Sequence, residues 1–344
     1  GGSINAFTSK ECTCYYAKVL DEHVGQAVDI LADIVQNSKL DPEDIKKEQG
    51  VICEEILMIQ DSPEDLAHES IAGLYYEGDP LSKPILGTEQ TVRSFNQESL
   101  HAYMKRQYVP ERIVISVAGH FEKQYLIDLF NEKFQSVPHG QALEFKQNKA
   151  PGGRRFLPVE RDIEQIHICM AMPGAPLDSL EQYALFILSN VLGGSMSSRL
   201  FQKIREERGL AYSIYSYPTC YRSTGSFSFY AGTGENQAVE VLKIMRSEVE
   251  SVLKDGITQE EFKRSKEQLK GSYLLAQEGT SSHMNALGKT ALLLNRVYNE
   301  QETIQRIESI TQEDVERLIP TVLDINNTST VCVGRVKKQE AEVR

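Results

Sequence analysis

The chain has 344 residues, and 37 Lys and Arg against 49 Asp and Glu give a formal net charge of −12 at pH 7. Hydrophobic residues make up 40% and charged residues 25%, a globular composition that excludes a disordered or fibrous chain. The acidic excess argues against a nucleic-acid partner, because phosphate binding needs clustered Lys and Arg. No apolar run reaches the roughly 18–20 residues of a membrane span, so we expect no transmembrane helix. This length predicts about two domains.

The chain begins with Gly1 instead of Met and enters at once an apolar, β-prone segment that runs from Ala6 to Tyr16. Flexible natural termini rarely have this composition. We therefore expect that a preceding segment was removed, by processing or by the choice of the expressed region. Of the six cysteines, only Cys12 and Cys14 are close in sequence, and no second pair has zinc-finger spacing. Reduced thiols in a cytoplasm-like compartment are the expectation.

An internal duplication organises the chain: the order strand, helix, helix, helix, strand occurs twice at a lag of about 215 residues. The first copy runs from Tyr15 to Gly119 and the second from Phe229 to Gly334. Each copy is predicted to be an α+β domain with helices on one face of a sheet, and the two similar domains are expected to enclose a cleft or chamber.

The predicted domain boundaries follow this duplication. We expect an N-terminal domain over residues 1–140, which carries Glu55, and a homologous C-terminal domain over residues 159–344. The linker at residues 141–158 is rich in Pro, Gly and charge, as exposed connections are.

Two carboxylates distinguish the first copy from the second. Glu48 and Glu55 lie seven residues apart on a predicted helix, which places them on one face. The equivalent residues of the second copy are Ser265 and Ser272. This asymmetry suggests that the first domain carries the chemistry, although a solvated helix face would show the same residues.

Three separated motifs occur in order along the chain. The first runs from Gly1 through Asn5-Ala6-Phe7 to Tyr15-Tyr16, the second is Glu-Gln-Gly-Val-Ile-Cys-Glu-Glu-Ile from Glu48, and the third is Arg-Glu-Glu-Arg-Gly-Leu-Ala-Tyr-Ser from Arg205. Together they resemble the pitrilysin/insulinase family of zinc peptidases (M16). The likeness is greatest to the branch that contains the β subunit of mitochondrial processing peptidase and its bacterial relatives.

The resemblance implies a zinc-dependent endopeptidase with an inverted His-x-x-Glu-His motif on a helix and a distant Glu as a further zinc ligand. Carried over by motif, Glu55 is that ligand, and Glu48 is an accompanying acid that supports it. None of the seven histidines forms the motif. The resemblance therefore implies a processed or truncated form without the zinc helix, in which zinc is weakly bound or absent and this chain alone is inactive.

Two further sites follow from the resemblance. Asn5, Ala6 and Phe7 match the edge strand to which substrate peptides add as an extra strand. Arg205 and Tyr212 match a pair that contacts the substrate backbone and, through Tyr, the oxyanion of the reaction. The implied substrates are peptides or unfolded targeting segments, and the implied partners are a second copy of the chain or its own cleaved N-terminal segment. The implied location is a bacterial cytoplasm, in preference to a mitochondrial matrix.

Two alternatives remain open at this point. The chain could be a non-catalytic scaffold or peptide-binding homologue, and the Arg205 segment could be a surface ion-pair cluster. His68, near Glu64 and Asp65, is interpreted as a surface histidine. Gly193-Gly194-Ser195 lacks the Lys of a phosphate loop, which favours a structural turn.

Overall fold

The computed structural model describes residues 1–141, 147–148 and 152–336. The strands within these ranges are β1 (Ser3–Thr8), β2 (Thr13–Lys18), β3 (Arg155–Glu160), β4 (Gln165–Pro173), β5 (Ala211–Cys220), β6 (Gly225–Gly234) and β7 (Ser329–Gly334). The helices are α1 (Val24–Gln36), α2 (Pro42–Asp61), α3 (Pro63–Tyr75), α4 (Glu89–Ser94), α5 (Gln97–Gln107), α6 (Lys123–Phe134), α7 (Leu180–Leu192), α8 (Ala238–Asp255), α9 (Gln259–Ala276), α10 (Thr280–Leu294), α11 (Glu300–Ser309) and α12 (Gln312–Val322). The α+β class predicted from the sequence is confirmed.

The duplication is visible in the order of the helices, since α1 to α5 recur as α8 to α12. The repeat extends to the caps. Asn96 begins α5 and Thr311 begins α12, and each forms a capping box in which the side chain accepts from the backbone of the third helical residue. Equivalent local sequence therefore sets equivalent helix starts in the two copies.

One strand of the predicted repeat is absent. Residues 113–118 form no strand, although the equivalent segment of the second copy is β7. The reason is pairing: β7 lies between β3 and β4, whereas no described strand pairs with residues 113–118. A β-prone sequence needs a partner strand to satisfy its backbone groups.

The described residues divide into two compact units. Unit 1 contains residues 1–56, 85–141 and 275–298, and unit 2 contains the remaining described residues. Helix α3 thus belongs to unit 2 and α10 to unit 1, so each unit takes one helix from the other half of the sequence. The domain boundaries predicted above follow sequence copies and stay a prediction. Residues 142–146 and 149–151 of the predicted linker and residues 337–344 lie outside the described residues, and β3 begins within the linker range.

Unit 1 contains an antiparallel hairpin, β1 with β2, in which Ala6 lies opposite Tyr15 and Phe7 opposite Cys14. Helix α1 packs against β2 and α6. The hydroxyls of Tyr15 and Tyr108 are 2.8 Å apart, which ties the hairpin to the residue after α5.

Unit 2 is built on a five-stranded sheet in the order β3-β7-β4-β6-β5, in which β3 and β7 are parallel and the other pairs antiparallel. Alternation along β4 explains the layers. Ile168 and Met170 face a core formed with α7, α8 and α12, while Cys169 and Ala171 face α3 on the opposite side. Both faces of β4 are buried, which accounts for its continuous apolar run.

Candidate functional site

Helix α2 carries both predicted acidic residues. Its start is set by Pro42 in the first helical position and by Asp41, whose Oδ1 accepts from the Glu43 N–H at 2.9 Å. Glu48 and Glu55 lie within this one helix, about 10 Å apart along the axis, and both side chains are exposed. The helix therefore presents the two carboxylates on one face, as the spacing predicts.

The predicted substrate-binding residues Asn5, Ala6 and Phe7 all lie in β1. Among the described residues, β1 pairs only with β2, so its other edge is open. The Ala6 N–H is directed at the Asn5 side chain and donates to its Oδ1 at 2.8 Å. An incoming strand would have to take this donor from Asn5.

Arg205 and Tyr212 are brought together in unit 2. Arg205 lies in a π-helical turn, Phe201–Glu206, and Gly209, with φ of 60°, turns the chain into β5. Arg205 Nη1 donates to the Tyr212 carbonyl oxygen at 2.9 Å, and the guanidinium carbon lies 4.6 Å from the Tyr212 ring centre. The Tyr212 side chain is 77% exposed.

Ion pairs connect this turn and the residues just after it to helix α8. Lys203 Nζ, on the turn, donates to the buried carboxylate of Glu248. Just after the turn, Arg208 pairs with Glu240 at 3.0 Å. Single-turn π-helices are frequent at functional sites. Here two ion pairs stabilise the π-helical turn that carries Arg205 and the segment that follows it.

A polar aromatic cluster that was not predicted from the sequence lies under α3. His68 Nδ1 lies 2.7 Å from the Tyr217 hydroxyl, and Nε2 lies 2.8 Å from the Tyr215 hydroxyl. Tyr215 in turn donates to Glu64 Oε1 at 2.8 Å. Because the Tyr215 proton points to Glu64, its oxygen accepts from His68 Nε2–H, and Nδ1 accepts from Tyr217. The interpretation of His68 as a surface histidine is wrong, since its side chain is only 27% exposed and packs against tyrosine rings.

Burial controls the ionisation of this cluster. Desolvation lowers the pKa of His68, against the smaller opposing effects of Glu64 and Asp65. Burial likewise lowers the pKa of His167 and raises the pKa values of Tyr215 and Tyr217. The histidines and tyrosines here are therefore uncharged near neutral pH.

The two tyrosines of this cluster follow a pattern that is visible in the sequence, whereas the histidine does not. Tyr215 and Tyr217 alternate on β5, which places both rings on one face, and Tyr215 lies opposite Tyr230 in the register. His68 has no such signal, because 147 residues separate it from Tyr215. Only the packing of α3 on this sheet brings it there.

A cavity of about 330 Å³ lies beside the cluster in unit 2. Its walls include His68, Ala72, Tyr75, Tyr76, Tyr217 and Tyr221.

Two family models match consecutive parts of the chain. Residues 1–89 match the family model described as Insulinase (Peptidase family M16), and residues 94–269 match the model described as Peptidase M16 inactive domain. A Bacillus subtilis protein named uncharacterized zinc protease YmxG is 42% identical over 92% of this chain and 77% of its own length. This chain belongs to peptidase family M16. A second M16 relative, uncharacterized zinc protease SCO5738 of Streptomyces coelicolor, is 36% identical over 99% of this chain and 76% of its own.

Solved structures support the M16 fold. A crystal structure of a peptidase M16 inactive domain from Pseudomonas fluorescens has a TM-score of 0.89 and 20% identity, covering 97% of this chain and 80% of that one. A protease from Helicobacter pylori has a TM-score of 0.89 and 21% identity, covering 97% and 82%. At these identities the likeness concerns the fold alone.

The zinc expected of an M16 peptidase finds no complete site in the described part of this chain. A catalytic zinc takes three protein ligands, and the described residues contain no group of three or more His, Cys, Asp or Glu that could hold a metal ion. Glu55 alone does not supply enough ligands for the ion.

In the described ranges, no helix is both long enough and apolar enough to cross a membrane.

Proposed function

We propose that this M16 chain is part of a zinc-dependent endopeptidase that acts on peptides or unfolded targeting segments. The observation that carries the proposal is the open edge of β1 in a chain whose relatives are named zinc proteases. A polypeptide that adds to β1 is held by main-chain hydrogen bonds, which tolerate many sequences. In this scheme Asn5, Ala6 and Phe7 form the binding strand.

Arg205 and Tyr212 are proposed to contact the same polypeptide. The Tyr212 hydroxyl is exposed and its ring is held by Arg205, so it is available as a donor to a carbonyl oxygen or to negative charge developing on it. The guanidinium adds a positive charge beside that position.

Glu55 is proposed to be one zinc ligand, with Glu48 supporting it. Zinc would polarise the peptide carbonyl and supply an activated water, but this chain's described residues hold one proposed ligand only. The other ligands, and the Glu that acts as base, would come from a His-x-x-Glu-His segment that is not among these 344 residues. Alone, the chain is proposed to be inactive.

A non-catalytic peptide-binding or scaffold role is the second candidate. The specific observation in its favour is that residues 94–269 match the model described as Peptidase M16 inactive domain. Both candidate functions include peptide binding at β1, but only the peptidase requires bound zinc. A homodimer, association with a cleaved N-terminal segment and a bacterial cytoplasmic location complete the proposal.

Metal content separates the two candidates. We would measure bound zinc in the 344-residue chain alone and joined to a His-x-x-Glu-His segment taken from a relative, comparing wild type with Glu55→Gln. Glu54→Gln is the matched control, since Glu54 is the adjacent exposed carboxylate on α2. The peptidase proposal expects stoichiometric zinc and peptide cleavage in the joined protein, lost in Glu55→Gln and kept in Glu54→Gln. Zinc content and cleavage unaffected by Glu55→Gln would overturn it.

Peptide binding is tested at Ala6. Ala6→Pro removes the N–H now directed at Asn5, and proline is tolerated at strand edges where this group faces outward. Asn5→Ala leaves the same N–H free for a ligand. We expect weaker binding of an unfolded peptide to Ala6→Pro and unchanged or tighter binding to Asn5→Ala, measured by fluorescence anisotropy. Equal binding by both variants would rule out strand addition here.

A further inference from the structure

A β-bulge at the start of β5 sets the direction of Tyr212. From the third residue of β5 onward, this strand pairs one to one with β6. At the start, Ala211 lies opposite Thr233 and Ser213 lies opposite Gly232, so two steps along β5 match one step along β6. Tyr212 is therefore the extra residue of a bulge. Bulges redirect side chains by interrupting the alternation of a strand, and they are common beside active sites.

The bulge explains why the Tyr212 side chain is exposed. Ala211 and Ile214 both belong to the buried core although they lie three residues apart, a spacing that regular alternation along a strand does not give. In an unbroken strand, Tyr212 would lie on the same face as the buried Ile214. The extra residue instead leaves the Tyr212 side chain 77% exposed. The bulge thus keeps the ring out of the core and makes it available to a ligand.

Thr233 holds the backbone at this bulge. Its buried hydroxyl donates to the Leu210 carbonyl oxygen at 2.6 Å. The Leu210 N–H donates at 2.8 Å to the carbonyl oxygen of Ile204, which lies in the π-helical turn that carries Arg205. The residue before β5 is therefore tied to β6 through its carbonyl and to that turn through its N–H.

The surroundings of Thr233 in the sheet are otherwise apolar. Along β6 it follows Phe227, Phe229 and Ala231 on the face that meets the core. A hydroxyl buried in such a row costs free energy unless it is hydrogen-bonded, and a valine has the same shape without this cost. The Leu210 carbonyl oxygen satisfies the hydroxyl. Packing alone therefore does not explain a threonine at this position.

We propose that Thr233 is a positioning residue for Tyr212: its hydroxyl fixes the bulge and so directs the Tyr212 ring toward a bound polypeptide. Without this hydrogen bond, we expect the bulge to shift toward regular pairing, which turns Tyr212 toward the core face. The role of Tyr212 in binding rests on the proposed function, whereas the control of its direction by Thr233 does not.

The contact between Tyr212 and Arg205 reports the direction of the ring without any ligand. The Arg205 guanidinium carbon lies 4.6 Å from the Tyr212 ring centre, so the ring current should shift the Arg205 side-chain signals in NMR spectra of the full chain. Tyr212→Ala defines the part of the shift that this ring produces. We expect Thr233→Val to lose most of that part and Thr233→Ser, which keeps the hydroxyl, to retain it. An unchanged shift in Thr233→Val would overturn the proposal.

A second buried threonine provides the matched control. Thr328 is 5% exposed, and its hydroxyl donates to the Asp324 carbonyl oxygen at 3.1 Å. Thr328→Val removes the same kind of hydrogen bond elsewhere in unit 2 and should lower the melting temperature about as much as Thr233→Val does. It should leave the Arg205 signals unchanged. Equal changes of these signals in both variants would show that general loosening is responsible and would overturn the proposal.

Peptide binding tests the consequence for a ligand. With a fluorescein-labelled unfolded peptide, Thr233→Val should weaken binding about 3–10-fold, as the loss of one neutral hydrogen bond gives. Thr233→Ser and Thr328→Val should bind as wild type does. In a Tyr212→Ala background, Thr233→Val should have no further effect, because the hydroxyl acts through that ring. An equal loss of affinity in both backgrounds would overturn the proposal.

The two kinds of measurement separate this inference from the proposed function. If Thr233→Val changes the Arg205 signals but neither it nor Tyr212→Ala changes peptide affinity, Thr233 positions the ring and the proposed role of Tyr212 in binding is overturned. If the Arg205 signals are unchanged and Tyr212→Ala weakens peptide binding, the proposed function stands and the positioning role of Thr233 is overturned.

Discussion

The Arg205 guanidinium lies 4.6 Å from the ring centre of Tyr212 and donates a hydrogen bond of 2.9 Å to the Tyr212 carbonyl oxygen. The same guanidinium lies 4.9 Å from the Phe201 ring. Arg205 therefore contacts two aromatic rings and is hydrogen-bonded to the beginning of β5. Arg205 thus contacts Tyr212 at both its exposed ring and its carbonyl oxygen.

Arg205→Ala should weaken peptide binding more than it affects folding. The exposed stacking and hydrogen bond contribute about 1 kcal/mol or less to the free energy of unfolding, whereas loss of a charged donor to a ligand lowers affinity about 10-fold or more. Arg208→Ala is the control, since Arg208 is a neighbouring exposed arginine paired with Glu240. Denaturant unfolding and peptide titration measure the two quantities, and equal affinity loss in both variants would contradict a specific role for Arg205.

Acid should destabilise the His68 cluster. Burial holds the pKa of folded His68 below its ordinary value of 6.5, so the unfolded chain binds the proton more readily. The stabilisation is thus fully present above pH 6.5 and is lost as the pH falls from 6.5 through the lower folded value. The free energy of unfolding is measured with denaturant between pH 7.5 and 5, roughly the range of this titration. It should decline less steeply with falling pH in His68→Gln than in wild type. His101→Gln, at an exposed position of α5, should follow the wild-type curve, and an unchanged slope in His68→Gln would refute the assignment.

Glu261 should matter for the stability of unit 2 at neutral pH. Burial alone would raise its pKa, but hydrogen bonds from Arg199 at 2.7 and 2.8 Å and from the Thr258 backbone lower the pKa to about 2. Its contribution is present above pH 4.5 and is lost as the pH falls toward 2. Glu261→Gln should reduce the free energy of unfolding by about 2–3 kcal/mol at pH 7.

The neighbouring Glu260→Gln provides the comparison for Glu261, because Glu260 is exposed on the same first turn of α9. It should change stability by less than about 0.5 kcal/mol. Similar losses in the two variants would mean that helix-end charge, and not the pair with Arg199, is responsible.

Removing Lys203 alone should lower the free energy of unfolding more than replacing Lys203 and Glu248 together. Glu248 is 3% exposed and its Oε2 has no partner among the described residues, while the Lys203 side chain is 46% exposed. Lys203→Met leaves a buried carboxylate unpaired and should destabilise the chain by about 2–4 kcal/mol. Lys203→Met combined with Glu248→Leu should recover most of this loss. Thermal and denaturant unfolding measure both, and a double variant less stable than Lys203→Met would contradict the explanation.

Sequence was sufficient for features that depend on neighbours along the chain. The strand that holds Asn5 to Phe7 follows from local alternation, and the position of Glu48 and Glu55 on one helix follows from the helical period. The roles assigned to these site residues by family resemblance stay predictions. The fold class and the family are confirmed.

Tertiary structure decided which distant segments meet. Residues 113–118 form no strand because no described strand pairs with them, and α3 joins the sheet of unit 2 and not unit 1. The contact of His68 with Tyr217 spans 149 residues and depends on that docking. Local propensity specifies an element and its polar or apolar face, but the choice of partner depends on the total apolar surface buried and hydrogen bonds satisfied when segments pack. For this reason the alternation of Tyr215 and Tyr217 is a local feature of the β5 sequence, whereas only the packed structure supplies the histidine and the cavity beside them.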